Sequence, residues 1–527
     1  MRPNIILQQT ARPKMGDTDT PISLFLKNPQ GILLESAEVD GRWGRYSVLA
    51  SAFLLTVRCE GGRLALDIAD ERLAPLAALA GMPFLEGLHE VMRAVTITPD
   101  ASMPPPITRG LYGYLGYGVS AFTVERLARA IPAEDAEACL VLPGHVLLYD
   151  HLYNRLTEVT IEESSGESSK VLKCESSKVP EGESSEESSK VLKCESSKVS
   201  EGESSKVPEG GSSGESSKVL KCESSKVLEG ESSKVLGGGA VEIPGREAYL
   251  QQVERIRELL KQGEAIQVVL SMRFEAPFGG DTFSLYRRLR QSNPSPYMFY
   301  MDLPGVVLMG ASPELMIRCK ANRLQLSPIA GTRKRGRTDE EDALLAAELL
   351  QDPKEQAEHL MLVDLGRNDL GRIAQMGTVS VDRQMEVERF SHVMHLTSRI
   401  SAQLNPALDA VDVIRATFPA GTVSGAPKVR AQEIIAEVEG CPRGPYAGCL
   451  GWVGLDKDTV NLDLGITIRS LWVRDGKVCW QSGAGIVFDS VPENEYMECL
   501  NKAAVIQAIL NGDGHREPPR AIEGHRN

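Results

Sequence analysis

The chain has 527 residues and carries 58 Lys and Arg against 72 Asp and Glu, a net charge of −14, which argues against a nucleic-acid binder. Hydrophobic residues make up 42% of it, enough for a large buried core. It has no run of about 18 apolar residues and no signal-peptide pattern at Met1 to Asp17, so a chain without membrane contact and a cytoplasmic location are expected.

In chain order, Tyr46 to Val57 and His145 to Tyr149 are rich in β-formers and read as strands. Between them Pro104 to Pro106 and the GLYGYLGYG segment, Gly110 to Gly118, read as tight turns. That segment is no dinucleotide fingerprint, because no strand-turn-helix with a later acidic residue surrounds it.

Residues 163–240 form a linker whose centre, 167–238, parses into octads: ESSKVLKC from Glu167, ESSKVPEG from Glu175, and ESSKVLKC again from Glu187 and Glu215. Its 72 residues hold 21 Ser, 14 Glu, 11 Lys and no aromatic residue. An octad with one or two aliphatic side chains cannot offset the cost of ordering its backbone, so disorder is expected over a solenoid. Three of the ten cysteines, Cys174, Cys194 and Cys222, recur with the repeat. The others are scattered without CxxC pairs and are expected to be reduced.

After the linker, Arg246 to Gln262 reads as an amphipathic helix and Gln267 to Phe274 as a strand, alternation that suggests a mixed α+β body with large sheets over residues 241–512. Residues 513–527 are a polar tail. Thr338-Asp-Glu-Glu341 has the pattern of a capping box, and Asp352-Pro353 ends the helix it opens. On the next helix Glu358 shares a face with Leu362 and Leu365, which would aim a carboxylate inward, a helix-edge glutamate that reaches solvent being the other reading. After Pro492, the residues Glu495, Glu498, Lys502, Val505 and Ile509 fall on one helical stripe. Two glutamates at i, i+3 repel unless something positive lies between them. A divalent cation on oxygen ligands is one answer and a solvated acidic helix start the other. With Glu358 they supply three carboxylates, few enough for Mg²⁺ to keep open positions.

Three glycine-bearing turns follow from the sequence: Pro328 to Thr332, Ala420 to Lys428, and Ser482 to Val487. Turns of this kind present backbone N–H groups to carboxylates or phosphates. Arg469, in the β-like run Leu464 to Val473, suits a bidentate carboxylate clamp. No GxxxxGK[ST] is present to suggest a nucleotide.

PIAGTRKRGRT (Pro328 to Thr338), EHLMLVDLGRNDLGR (Glu358 to Arg372), SHVMHLTSR (Ser391 to Arg399), GTVSGAPKVRA (Gly421 to Ala431) and GAGIVFDSVPENEY (Gly483 to Tyr496) resemble the chorismate-utilising enzymes, and within them the anthranilate synthase large subunits. The resemblance is strong over residues 245–510 and weak over 20–160. It implies large antiparallel β-sheets in a sandwich with flanking helices, an N-terminal regulatory segment over 1–162 and a chorismate-binding catalytic domain over 241–512. It also implies a lyase in which Glu358, Glu495 and Glu498 surround Mg²⁺, and Gly331, Thr332, Thr422, Tyr446, Arg469, Gly483, Ala484, Gly485 and Lys502 hold chorismate. Glu314 matches the acid that protonates the departing 4-hydroxyl, His395 the histidine tied to pyruvate elimination, and His392 a structural one.

The branch follows from two absent lysines. Relatives that add water to C2 carry lysine at the place of Gln267, and relatives that make 4-amino-4-deoxychorismate carry a nucleophilic lysine at the place of Ala330. Ammonia needs neither, so amination to anthranilate is expected, as the first step of tryptophan biosynthesis. A relative that stops at 2-amino-2-deoxyisochorismate and a catalytically silent scaffold are the alternatives. No GxCxG nucleophile turn is present, so a separate glutamine amidotransferase subunit is expected to supply ammonia. Leu33-Leu34-Glu35-Ser36 and Pro296-Tyr297-Met298 resemble the pieces that bind L-tryptophan as feedback inhibitor, ordinary core segments being the other reading.

Overall fold

A computed structural model describes residues 3–16, 18–35, 45–162, 240–389 and 393–511. The octad array, Ser36 and His392 lie outside the described residues. The described residues all fall within one compact unit.

Among the described residues 22 strands join through one continuous set of ladders, and helices flank them: an α+β fold with large antiparallel sheets. Pairing is antiparallel except where Ile5–Gln8 runs parallel to Val95–Thr98. Strands from before and after the insert lie side by side. Ile32–Glu35 pairs with Tyr297–Leu303, and Gly110–Leu115 pairs with Cys449–Gly454. Buried apolar side chains from Ile5 to Ile509 form a main cluster across them, with a smaller one of Ala346, Leu349, Met394 and Leu396; each large one fully removed from water contributes about 1.5–3 kcal/mol.

The helix expected after the insert spans Arg246–Lys261 and buries Tyr249, Val253, Ile256 and Leu260, the i, i+4, i+7, i+11 stripe of its pattern. Thr338 caps Asp339–Gln351 by accepting from Glu341 N. The reciprocal half of the box is displaced, because the Glu341 carboxylate accepts from Arg337 N at 2.7 Å. Asp352 then caps Pro353–Gly371.

Three expected turns are strands instead. Gly110–Leu115 is extended and wholly buried. At Gly113, with φ at 151°, a Cβ would lie 1.9 Å from the Cys139 carbonyl oxygen, so glycine there serves close strand approach and not a turn. Ile329–Lys334 is a strand with a register shift between Ala330 and Thr332, and Gly331 has φ at 62°, as a bulge requires. Ser482 to Ile486 continues the strand Lys477–Ile486, laddered to Gln267–Pro277. Glycine thus serves close strand approach at Gly113, a positive φ at Gly331, and room for the Tyr446 and Gln267 side chains at Gly483 and Gly485, needs that sequence alone does not separate from chain reversal. The run Leu464 to Val473 is two strands, Leu462–Ile466 and Ser470–Arg474.

Candidate active site

Glu314 lies between the strands Val306–Ser312 and Leu315–Lys320. Its main chain is fixed by Ile466 N, which donates to its carbonyl at 3.0 Å. Burial pushes its carboxyl up to about 7, against the hydrogen bond of Thr422 and the charges of Arg469 and Lys502. A carboxylic acid that keeps its proton near neutrality, beside two cations, suits proton donation to a leaving hydroxyl of an anionic molecule.

Arg469 occupies the break between Leu462–Ile466 and Ser470–Arg474 with φ at 49°, and its carbonyl accepts from Ala311 N at 3.1 Å. Its side chain remains open to solvent. Surrounding protein nevertheless lowers its pKa, opposed by the charge of Glu314. An arginine both reachable and desolvated projects into a cleft, where an arriving carboxylate gains most. Its charge also reaches His395, whose pKa is lowered first by burial.

His395 stands on Val393–Gln403 opposite Thr332. Its Nδ1 donates to the Gly331 carbonyl at 3.0 Å and lies 3.0 Å from Thr332 Oγ1. Because a carbonyl only accepts, the Nδ1 proton is fixed, and Nε2 is the basic nitrogen of the neutral ring.

The strand Lys477–Ile486 forms a wall. Gly483, Ala484 and Gly485 stand opposite Ser271, Leu270 and Val269. A Cβ on Gly485 would lie 2.5 Å from Gln267 Nε2, and one on Gly483 would lie 2.8 Å from Tyr446 Oη, so both side chains rest on bare backbone. Burial raises the Tyr446 pKa, which keeps the phenol a donor. Gly425, with φ at 135°, would place a Cβ 2.1 Å from the Gln267 carbonyl oxygen. Gly425→Ala is therefore expected to cost about 2 kcal/mol or more in denaturant unfolding, from backbone strain and clash together; an unchanged midpoint would show that the approach relaxes freely.

Across from this wall are the acidic groups. Gln267 Nε2 donates to Glu358 Oε1 at 3.5 Å. Glu358 is raised by burial first, then by the charges of Glu355 and Glu498. Glu495 is raised by burial, with Glu498 adding to it. Lys502 Nζ pairs with Glu498 Oε1 at 2.7 Å and donates to the Gly483 carbonyl at 2.9 Å. The expected inward facing needs correction. Pro492–Leu510 buries Tyr496, Cys499, Ala503, Ile506 and Ile509, while Glu498 and Lys502 are exposed and Glu495 half-buried. Likewise Pro353–Gly371 buries His359, Leu362, Val363, Gly366, Asp369 and Leu370, one position around from Glu358. The core face is the one with side chains that need no water, and the carboxylates border it at the cleft.

Among the described residues no group of three or more His, Cys, Asp or Glu side chains closes into a coordination shell. The donor set nonetheless fits Mg²⁺: the charge of Glu498 raises the pKa of both Glu358 and Glu495, and the nearby lysines, Lys354 and Lys502, only partly offset it. Oxygen ligands of excess negative charge are what this ion takes.

The two segments expected to bind an inhibitor are neighbours, since Glu35 stands opposite Met298. Tyr286 Oη and Arg290 Nε donate to Glu35 Oε2 at 2.6 and 2.9 Å. Tyr297 Oη donates to Asp463 Oδ1 at 2.7 Å. Pro296 directly precedes Tyr297. Missed from the sequence were Glu439 and Arg443, a pair behind the Tyr446 wall with side chains 4% and 1% exposed. Their i, i+4 spacing at a helix end is indistinguishable from that of a surface pair.

The chorismate binding enzyme family matches residues 72–508. Anthranilate synthase component 1 of Aquifex aeolicus is 39% identical over 509 residues, 94% of this chain and 92% of the relative. That of Bacillus caldotenax is 37% identical with the same coverage. Among solved structures, anthranilate synthase component I from Streptococcus pneumoniae superposes with a TM-score of 0.64 at 29% identity, covering 94% of this chain and 99% of that one. The menaquinone-specific isochorismate synthase of Escherichia coli, at 19% identity and a TM-score of 0.64 over 96% and 95% of the two chains, shares the fold.

Proposed function

The chain belongs to the chorismate binding enzymes, within them to the anthranilate synthase component 1 family, and on that premise we propose that it aminates chorismate at C2 and releases pyruvate to form anthranilate. The observation that carries this reading is Glu314, a buried acid beside Arg469 and Lys502. Ammonia forms the C2–N bond as the double bond shifts and the 4-hydroxyl leaves as water with the Glu314 proton. Loss of the C2 proton and cleavage of the C3–O bond then give the aromatic ring and pyruvate, with His395 Nε2 the nearby base.

Arg469, Tyr446, Lys502, Thr332, Thr422 and the backbone of Gly331 and Gly483 to Gly485 bind and orient the substrate. Gln267 and Ala330 stand where lysines would serve water addition and 4-amino-4-deoxychorismate formation, so their absence supports ammonia as the nucleophile at C2, while His395, tied to elimination, disfavours the 2-amino-2-deoxyisochorismate alternative, which uses the same ammonia. Glu358, Glu495 and Glu498 would hold Mg²⁺, which supplies a positive charge for the ring carboxylate. The regulatory reading places L-tryptophan at Glu35, Ser36 and Pro296 to Met298, and a separate glutamine amidotransferase subunit delivers the ammonia. No helix among the described residues is long and apolar enough to cross a membrane, in keeping with a cytoplasmic enzyme.

The test is the isolated chain with chorismate, Mg²⁺ and ammonium at mildly alkaline pH, with anthranilate followed by fluorescence and pyruvate assayed in parallel. Equal amounts of both are expected. Chorismate consumed without pyruvate would point to an aminated intermediate as the product, and no consumption would revive the silent scaffold.

A further inference from the structure

Behind the cleft, a guanidinium is committed to four bonds on three separate pieces of chain. Arg443 Nε and Nη2 donate to Glu439 Oε2 and Oε1 at 2.8 and 2.6 Å. Nη1 donates to the Val423 carbonyl at 2.8 Å and Nη2 also to the Val269 carbonyl at 2.6 Å. Glu439 Oε1 in turn accepts from Ser271 N at 2.8 Å and Ser271 Oγ at 2.7 Å. The guanidinium lies over the Tyr117 ring, 4.5 Å from its centroid, and 5.8 Å from that of Tyr446.

The addresses of these bonds matter more than their number. Val423 follows Thr422, whose side chain acts to lower the Glu314 pKa. Val269 pairs with Gly485 and Ser271 with Gly483. Tyr446 is three residues beyond Arg443 and rests on Gly483. We propose that Arg443, held by Glu439, is a positioning residue that sets the Thr422 turn, the Gly483–Gly485 wall and Tyr446 in one frame for the substrate. An ion pair serving stability alone is readily replaced by apolar groups of like volume. Here the fork reaches two carbonyls on different segments, and only a planar donor with several N–H groups does that. Lysine keeps the charge and one bond to Glu439 but cannot serve both carbonyls.

The inference rests on the chorismate reading of this site. Arg443→Lys is expected to raise the chorismate KM about tenfold or more, the size of effect that small misplacement of binding groups produces, with a smaller change in the ammonium KM. It should also lose most of the chorismate-induced rise in Tm. The double variant Glu439→Gln/Arg443→Met leaves no orphan buried charge, folds even where the single one does not, and is expected to show the same KM rise. Parent-like chorismate KM and parent-like ligand-induced Tm rise in either folded variant would overturn the proposal. If the parent makes no anthranilate, the functional reading fails by itself, while the Tm shift with chorismate still decides the role of Arg443.

Discussion

Glu314→Gln is expected to lower kcat for anthranilate formation by about 10²- to 10⁴-fold, the range supplied by a positioned proton donor, with the chorismate KM little changed. The amide preserves shape but has no acid to give. Loss of activity confined to KM would assign Glu314 to binding. The same residue carries a pH signature. Its folded carboxyl titrates near 7 against an ordinary value of 4.5, so the folded state holds a proton that the unfolded state has released between those two values. The stability this confers is fully present below 4.5 and is lost as pH rises through 7. The Gln variant has no such titration, so its stability relative to the parent should improve across that window by on the order of 3 kcal/mol. In turnover, kcat/KM at fixed free ammonia should fall as pH rises through 7, when the acid form is depleted; a flat profile would remove the proton-donor role.

Glu358→Gln is expected to raise the Mg²⁺ needed for half-maximal activity by about 100-fold or more, since loss of even a supporting group costs a metal site 10- to 100-fold. Without metal, the variant should be at least as stable as the parent, because the charge of Glu498 that pushes up the Glu358 pKa then has nothing to repel. Titration calorimetry with Mg²⁺, apart from any turnover assay, checks the affinity. Equal affinity in variant and parent would move the metal away from Glu358.

The helices were legible because caps and apolar spacing are local. Thr338, Asp352 and Pro492 mark their starts in the sequence as they do in the fold. The glycine-rich segments differ from turns for physical reasons: Gly113 lets two strands approach, Gly331 adopts the positive φ of a bulge and Gly485 leaves room for the Gln267 side chain, and each requirement leaves the same composition as a turn. The candidate site was legible residue by residue through its motifs, but its facing was not. Glu358, Glu495 and Glu498 border the core faces of their helices, a rotation of one residue that spacing cannot resolve. Arg443 was invisible because the carbonyls it serves, at Val269 and Val423, lie far from it in sequence, as does Ser271, which donates to its partner Glu439.

The strand Gly110–Leu115 has no exposed residue, yet its partner Cys449–Gly454 comes about 330 residues later. At a synthesis rate of about 5–20 residues per second, the nascent chain holds that edge unpaired for roughly 15–65 s. During this interval Leu111, Tyr112, Tyr114 and Leu115 offer an apolar ladder to any neighbouring chain. Ile32–Glu35, which pairs with Tyr297–Leu303, waits in the same way, so both edges add to the demand on chaperones, and fewer nascent chains at an unchanged elongation rate should raise the soluble yield.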